Sequence, residues 1–263
     1  MSLINYKDVL IENLDSSIKN YEDSFTKYKR KVFCQLGEDG IIERIFDVIG
    51  TTNKYYVEFG GWDGIYLSNT ANLRINRGWS GLLLEGDKNI VLSTINRVEI
   101  NLHNEWITKD NINDIFTKYN VPQSFDFLSI DIDGDDYHIW KALTYNPRVV
   151  VVETNPGIKN DIPLTVIEGK ANIYLPNSQT GNYFGANLHA FLDLASIKGY
   201  TFLTMDEYNA FFVLDSEFEK FGIEKKTKEE ILRTAFVPCK YWGSRNEYRI
   251  PPYEWVNLTQ TLI

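Results

Sequence analysis

The chain of 263 residues is long enough for one large α/β domain or two small ones. It has 27 Lys and Arg against 36 Asp and Glu, and the net charge of −9 argues against binding to nucleic acid or to an anionic membrane surface. The two cysteines, Cys34 and Cys239, are too far apart in sequence to suggest a disulfide framework or a zinc site, which favours a cytoplasmic location.

Strands and helices are predicted to alternate along most of the chain, after a polar N-terminal segment over residues 1–33 that is predicted to be helical. The first amphipathic helix lies within residues 37–50, with Glu38 and Asp39 near its start. Apolar strands are predicted at residues 55–60, 81–86, 98–102, 125–131 and 149–154. Helices are predicted between them at residues 68–78, from 87 to about 96, at 111–119 and at 137–143. No segment is apolar enough over a sufficient length to span a membrane, and the N-terminus lacks the core of a signal peptide.

The last predicted elements change the pattern. A helix at residues 187–199 leads into two strands, at 200–206 and 210–214, which only three residues separate. A link of that length cannot cross over a sheet, so the two strands must form an antiparallel hairpin. The chain is therefore predicted to be an α/β protein with a mostly parallel sheet and one antiparallel C-terminal strand.

Acidic residues recur where the predicted strands end. In an open parallel sheet, ligands bind beyond the carboxyl ends of the strands, at the point where the strand order reverses. The acidic residues at these ends are Glu58, Asp63, Glu85, Asp87, Asp131, Asp133 and Glu153. We therefore expect a ligand pocket with a rim of carboxylates.

The first strand runs into "EFGGWDG", whose glycines allow close approach of the backbone to a ligand, although the G-x-G-x-x-G dinucleotide pattern is absent. Glu85 ends the second strand, where a carboxylate can accept hydrogen bonds from both ribose hydroxyls. A diphosphate would be repelled by the acidic rim, whereas the sulfonium and ammonium groups of S-adenosylmethionine would be attracted to Glu58, Asp63 and Asp131. The pattern thus favours the methyl donor over a nicotinamide dinucleotide.

Six blocks carry a resemblance to a known family: "QLGEDGIIERIF", "YYVEFGGWDGIYLSNT", "GWSGLLLEGD", "FDFLSIDIDGDDYHIWKAL", "PRVVVVETN" and "GNYFGANLHAFLDLASIKGY". In this order, over about residues 33 to 214, they resemble the FkbM-like S-adenosylmethionine-dependent methyltransferases. The resemblance implies a class I methyltransferase sheet, Rossmann-like and closed by an antiparallel strand. It also implies O-methylation of a sugar or natural product, including sugars destined for capsular and other bacterial surface polysaccharides.

The domain prediction follows from these blocks. Residues 1–33 precede the catalytic domain, residues 34–215 form it and bind the donor, and residues 216–263 are an extension packed on the same domain. We expect the donor site to contain Gln35, Glu58, Gly60, Asp63, Asn69, Glu85, Gly86, Trp106 and Asp131. The assignment of Gln35, with Glu38, to the methionine end rests on the resemblance, and Trp106 is expected to flank the adenine.

Methyl transfer needs an aligned acceptor oxygen and a base for its proton. His138, at the start of the helix after the acidic loop, is the first candidate for the base, and Asp133 is the competing candidate, with Asp131 beside it. Oxygen atoms of Asp131, Glu153 and Asn155, from two adjacent strand ends, are suited to Mg²⁺. The same oxygens could instead bind the sulfonium side of the donor or the acceptor directly.

The acceptor is expected to be a small molecule, a sugar or a nucleotide-activated sugar. By resemblance, Tyr183, Phe184 and Asn187 line its pocket, and Asn187 could equally cap the following helix. Arg245, in an aromatic C-terminal tail, is the candidate phosphate contact, although that tail could instead serve packing or a homodimer interface. Two other classes stay open: a glycosyltransferase that uses Asp131-x-Asp133 to hold Mn²⁺ on a nucleotide sugar, and a non-catalytic interaction domain.

Overall fold

The computed structural model of the protein describes residues 2–5, 23–171, 183–234 and 254–259. Arg245 and Cys239 lie outside the described residues, so no position is assigned to either. Ten strands are described: β1 (Ser2–Asn5), β2 (Tyr55–Phe59), β3 (Ser80–Glu85), β4 (Leu102–Asn104), β5 (Ser124–Ile130), β6 (Asn146–Glu153), β7 (Leu164–Thr165), β8 (Tyr200–Met205), β9 (Asn209–Leu214) and β10 (Glu254–Asn257).

The helices of the described residues are α1 (Glu38–Ile49), α2 (Ala71–Arg77), α3 (Lys88–Ser93), α4 (Ile112–Lys118), α5 (Asp136–Ala142), α6 (Leu188–Lys198), α7 (Asp215–Phe218) and α8 (Lys228–Thr234). Short 3-10 turns occur at Thr26–Tyr28 and Glu219–Phe221. None of the described helices is long and apolar enough to pass through a membrane.

Seven strands form the main sheet in the order β4-β3-β2-β5-β6-β9-β8. Strands β2 to β6 run parallel to one another, and β9 is antiparallel to both β6 and β8. The predicted α/β class, the mostly parallel sheet and the reversed C-terminal strand are therefore confirmed. The arrangement is that of the expected Rossmann-like sheet.

Apolar side chains cover both faces of this sheet. Along β6, Val150 and Val152 belong to one core cluster, whereas Val149 and Val151 belong to the cluster on the other face, which includes residues of α1. Side chains alternate along a strand, so a run of valines is stable only where both faces are buried. The parallel strands thus hold their carboxyl ends at one well-fixed edge.

Two of the predicted element positions are wrong. The strand expected at residues 98–102 begins only at Leu102, where it pairs with Leu83 of β3, and Val98 is 84% exposed in the preceding turns. The N-terminal segment was expected to be helical, but Ser2–Asn5 is a strand. This strand is stable because it pairs with β10, more than 240 residues later in the chain.

A second sheet of three strands, in the order β1-β10-β7, was not predicted. Strand β10 pairs antiparallel with both neighbours. Its Trp255 packs against Tyr183, with 4.9 Å between the ring centroids, in a small separate core. The pairing brings residues of the C-terminal region against the segment that follows β6, while the predicted domain limits stay predictions.

Candidate active site

The strand order reverses between β2 and β5. Strands β3 and β4 continue the sheet on one side of β2, whereas β5 and β6 extend it on the other side. Gly60, just after β2, has φ +66°, and a Cβ atom placed on it would lie 1.8 Å from the carbonyl oxygen of Asp131. Only glycine fits this position without a shift of the backbone. The loops after β2 and β5 thus touch at the edge where an open sheet binds ligands.

Glu58 shapes the loop before α2. Its carboxylate accepts hydrogen bonds from the hydroxyls of Ser68 (2.7 Å) and Thr70 (2.5 Å) and from the backbone N–H of Asn69 (2.7 Å). Burial raises the pKa of Glu58. Asn69 in turn donates to the hydroxyl of Ser129 on β5 over 3.0 Å. Glu58 and Asn69, both predicted to contact the methyl donor, therefore lie beside the switch point of the sheet. The carboxylate of Glu58 holds the loop and is not directed at a ligand.

Asp63 also has a local function. One of its carboxylate oxygens accepts hydrogen bonds from the backbone N–H groups of Ile65 and Tyr66. Trp62, beside it, has φ +45° and Leu67 has φ +56°, conformations that bulky residues seldom adopt. The loop is therefore held in an uncommon backbone shape by its own polar side chain.

Glu85, Gly86 and Trp106, which are predicted to contact the adenosine part of the donor, lie close together. Glu85 Oε2 accepts from the backbone N–H of Trp62 (3.0 Å) and Oε1 from that of Asp87 (2.8 Å). A Cβ atom on Gly86 would lie 3.0 Å from the Trp106 ring, which is 75% exposed. This arrangement presents an aromatic face for an adenine and a carboxylate next to it for a ribose.

Gln35 is exposed in a segment that folds back on the start of α1. Asp39 Oδ2 fixes this segment by accepting hydrogen bonds from the backbone N–H groups of Val32, Phe33 and Cys34 over 2.8 to 3.0 Å. Cys34 forms an isolated parallel bridge with Leu67. The segment of Gln35 therefore borders the loop that follows β2, which agrees with a position near the donor.

Three carboxylates meet beyond β5 and β6. One oxygen each from Asp131, Asp133 and Glu153 lies within 4.8 Å of the other two. Burial raises the pKa of both Asp131 and Glu153, and the neighbouring carboxylates raise both further. Among the described residues, neither Asp131 nor Glu153 forms an ion pair, and Glu153 Oε2 is buried without a hydrogen-bond partner. Within the part of the chain that the structure describes, no cation compensates the charges of Asp131 and Glu153.

The set that suits a divalent cation differs in one member from the predicted one. Asn155 is buried, its amide oxygen accepts from the backbone N–H of Gly157, and its amide nitrogen donates to the carbonyl of Phe184. Asp133, with φ +55°, lies next to Asp131 and Glu153, and the role of Asn155 as a metal ligand stays a prediction. Three carboxylate oxygens with one buried unpartnered atom fit the ligand chemistry of Mg²⁺.

Asp136 is a residue that the sequence interpretation did not assign. It is completely buried, and its two oxygens accept from the backbone N–H groups of Ile132 and Gly134, both over 2.9 Å. Burial raises its pKa to about 6. Asp136 thus holds the loop that carries Asp131 and Asp133. The sequence signal for it was the presence of four acids within "DIDGDD", of which the proposed chemistry uses only Asp131 and Asp133.

His138 is half-buried, and its Nε2 lies 2.9 Å from the carbonyl oxygen of Val166, next to β7. A carbonyl only accepts, so Nε2 carries the proton and donates it, which leaves Nδ1 as the basic nitrogen. The ring is thereby attached to the second sheet. Its assignment as the general base stays a prediction that depends on Nδ1 alone.

The predicted acceptor wall is buried. The Tyr183 hydroxyl donates to the carbonyl of Glu254 (2.7 Å) and accepts from the N–H of Ile167 (3.0 Å). Asn187 caps α6 by accepting from Ala190 N–H, and its amide nitrogen donates to two carbonyls of the loop before β7. Phe184 is buried as well. The helix-capping alternative for Asn187 is confirmed, and Tyr183 attaches the second sheet to the loops near the site.

Comparisons with known proteins give matches only among solved structures, since no protein family and no curated protein matches the chain. An S-adenosylmethionine-dependent methyltransferase from Clostridium acetobutylicum ATCC 824 aligns with a TM-score of 0.40 and 10% identity, over 73% of this chain and 93% of that chain. An O-methyltransferase from Bacillus cereus in complex with SAH gives 0.41 and 15%, over 75% and 85%. A SAM-dependent methyltransferase from Aquifex aeolicus gives 0.38 and 10%, over 65% and 87%. At scores and identities this low, the fold assignment rests on the strand order.

Proposed function

We propose that the chain is an S-adenosylmethionine-dependent methyltransferase that methylates a hydroxyl group of a small molecule. The observation that carries the proposal is that no described cation compensates the charges of Asp131 and Glu153, at the edge where the strand order reverses. At about 4 Å and an effective dielectric of about 20, two unit charges interact by about 4 kcal/mol. That energy attracts a sulfonium or ammonium group and repels a phosphate.

The adenosine part of the donor is assigned to the neighbouring loops. Glu85 is placed for the ribose hydroxyls and Trp106 for the adenine ring, while Gly60 lets the backbone approach the donor closely. The positive end would then extend toward Asp131. The loops are fixed by Glu58, Asp63 and Asp136, so the site is organised before the donor binds.

The reaction itself requires alignment of an acceptor hydroxyl with the methyl group and removal of the hydroxyl proton. Good positioning contributes about 7–11 kcal/mol to lowering the barrier. Asp133 and the Nδ1 atom of His138 are the two candidates for receiving the proton. His138→Gln distinguishes them, because Asp133 also belongs to the proposed cation site: a loss of at least about a hundredfold in kcat supports His138 as the base, and an unchanged kcat supports Asp133.

A divalent cation is the alternative occupant of the same carboxylates, in place of the positive end of the donor. Asp131, Asp133 and Glu153 would hold Mg²⁺, and the bound ion would supply Lewis-acid stabilisation of the acceptor oxygen. The test is a thermal melt with MgCl₂ or EDTA. A rise in Tm with Mg²⁺ that disappears in Asp133→Asn supports the metal site, and an unchanged Tm argues against it.

A sugar or a nucleotide-activated sugar is the proposed acceptor, and the FkbM-like type is the proposed subgroup. Both rest on the sequence blocks quoted above. A screen of sugars and nucleotide-linked sugars with a methyl-labelled donor tests the acceptor class directly. Transfer of label only to acceptors of another class would overturn this part of the proposal while leaving the methyltransferase assignment intact.

The central test is binding of S-adenosylhomocysteine, measured by thermal shift and calorimetry beside NAD and a UDP-sugar with Mn²⁺. We expect stabilisation by S-adenosylhomocysteine alone. Stabilisation by the UDP-sugar with Mn²⁺ would favour a glycosyltransferase, which is disfavoured because Glu58, Glu153 and Asp136 add negative charge beyond what one metal offsets. No response to any ligand would favour a non-catalytic domain.

A further inference from the structure

The row of buried acidic groups continues beyond Glu153, on the side away from Asp131. Asp206 follows β8 and Asn209 begins β9, so both belong to the hairpin turn, and Asn209 is the register partner of Glu153. Glu38, the first residue of α1, approaches from the other face, where its Oε1 accepts from Asn209 Nδ2 over 2.9 Å. Helix α1 and the hairpin therefore meet next to the proposed active site.

The oxygens of this group are incompletely paired. Asp206 Oδ1 accepts from the backbone N–H groups of Tyr208 (2.8 Å) and Asn209 (2.7 Å). Asp206 Oδ2, Asn209 Oδ1 and Glu153 Oε2 are buried and have no partner within the part of the chain that the structure describes. Asp206 is 1% exposed and Asn209 is 3% exposed. Nearly all buried polar atoms are hydrogen-bonded, so three unpartnered acceptors on neighbouring residues indicate an absent donor group.

The chemistry of the absent group follows from the charge. Burial raises the pKa of Asp206, the carboxylate of Glu38 raises it further, and the more distant Lys29 acts in the opposite direction. Lys29 makes no ion pair with Asp206 among the described residues. A water molecule supplies two hydrogen-bond donors and no charge, whereas a primary ammonium supplies three donors and a positive charge. The ammonium therefore matches both the three acceptor atoms and the negative charge of the carboxylates.

We propose that Asp206, Asn209 and Glu38 bind the primary ammonium group of a ligand that reaches them past Glu153. This inference rests on the methyltransferase function proposed above. The ammonium belongs either to the amino-acid end of the methyl donor or to an amine-bearing acceptor such as an amino sugar.

The test compares wild type with Asp206→Asn by calorimetry, using S-adenosylhomocysteine and its deamino analogue in one arm and glucosamine and glucose in the other. Asparagine keeps the oxygen that accepts from Tyr208 and Asn209, so the turn is preserved, and a thermal melt verifies the fold. Asp215→Asn, at the opposite end of β9, removes the same charge and is the matched control.

If the ammonium group belongs to the methyl donor, Asp206→Asn weakens the binding of S-adenosylhomocysteine about 10- to 100-fold and leaves the binding of its deamino analogue unchanged. If it is the acceptor's, only the preference of wild type for glucosamine over glucose is lost. Equal weakening of both donor compounds with no change in the sugar preference, or no change in either arm, overturns the inference. Failure of wild type to bind S-adenosylhomocysteine refutes the methyltransferase proposal, and the sugar arm then decides the ammonium site by itself.

Discussion

Replacement of Gly60 by alanine tests whether the contact between the loops after β2 and β5 is essential. The new Cβ atom would lie 1.8 Å from the carbonyl oxygen of Asp131, a backbone atom that cannot rotate away. An alanine at φ +66° costs about 1–2 kcal/mol, and displacement of the packed loop costs about 1–3 kcal/mol more. We therefore expect Gly60→Ala to lower the free energy of unfolding by about 2–5 kcal/mol.

Gly78 provides a matched control. It has φ +67°, yet a Cβ atom there would meet nothing within 4 Å in the described structure, and it lies before β3, at the opposite edge of the sheet. Gly78→Ala should cost only the conformational part, about 1–2 kcal/mol. The difference of about 1–3 kcal/mol between the two variants measures the contact with Asp131.

The assay combines urea denaturation with calorimetric binding of S-adenosylhomocysteine. Gly60→Ala should weaken donor binding at least about tenfold, because the loop that carries Asp131 must move, whereas Gly78→Ala should leave it unchanged. Equal losses of stability in the two variants, together with unaltered donor affinity in Gly60→Ala, would refute the reasoning about the switch point.

Three further predictions concern buried polar groups near the site. Glu153→Gln removes a buried charge that no described cation compensates, so it should raise the free energy of unfolding at pH 8 by about 1–2 kcal/mol. The same substitution should weaken the binding of S-adenosylhomocysteine. A lower free energy of unfolding in urea denaturation would contradict the predicted gain in stability. The pKa of Asp136 is raised to about 6 in the folded state. Protonation of Asp136 should therefore contribute up to about 3 kcal/mol to the free energy of unfolding as the pH falls from about 6 to below 4. Urea titrations of Asp136→Asn should show a correspondingly smaller increase. Tyr183→Phe removes the hydroxyl that bonds the carbonyl of Glu254 and the N–H of Ile167, so it should lower the free energy of unfolding by about 1–3 kcal/mol. The KM for the acceptor should stay unchanged. A raised KM at unchanged stability would instead indicate that Tyr183 contacts the acceptor.

The main sheet could be predicted because its signals are local. Val149 to Val152 form a run that needs two covered faces, and only three residues separate the last two predicted strands, which forces an antiparallel hairpin. The second sheet has no such signal. Strand β7 has two residues, and β1 and β10 are joined by pairing across nearly the whole chain. Short segments of that kind carry no periodicity to recognise.

The positions of the acidic residues could be predicted from the sequence, but the directions of their side chains could not. Glu58 ends a strand just as Asp131 does, yet it accepts from Ser68 and Thr70, two hydroxyls that follow it by ten and twelve residues. Asn155 likewise turns to its own loop while Asp133 joins the carboxylate cluster. These choices depend on which backbone N–H groups the folded loops leave in need of an acceptor.

Two kinds of buried acid therefore coexist at one edge of the sheet. Glu58 and Asp136 have their oxygens occupied by loop donors, which offset part of the burial that raises the pKa of both carboxyls. Glu153 and Asp206 each retain a buried oxygen without a partner among the described residues. Burial and the neighbouring carboxylates raise the pKa of both groups, so their charged forms carry a free-energy penalty. A cation removes that penalty only when it is bound, so part of the instability of the free protein becomes affinity for the ligand. The first kind of acid builds the loops, and the second kind selects a positively charged ligand.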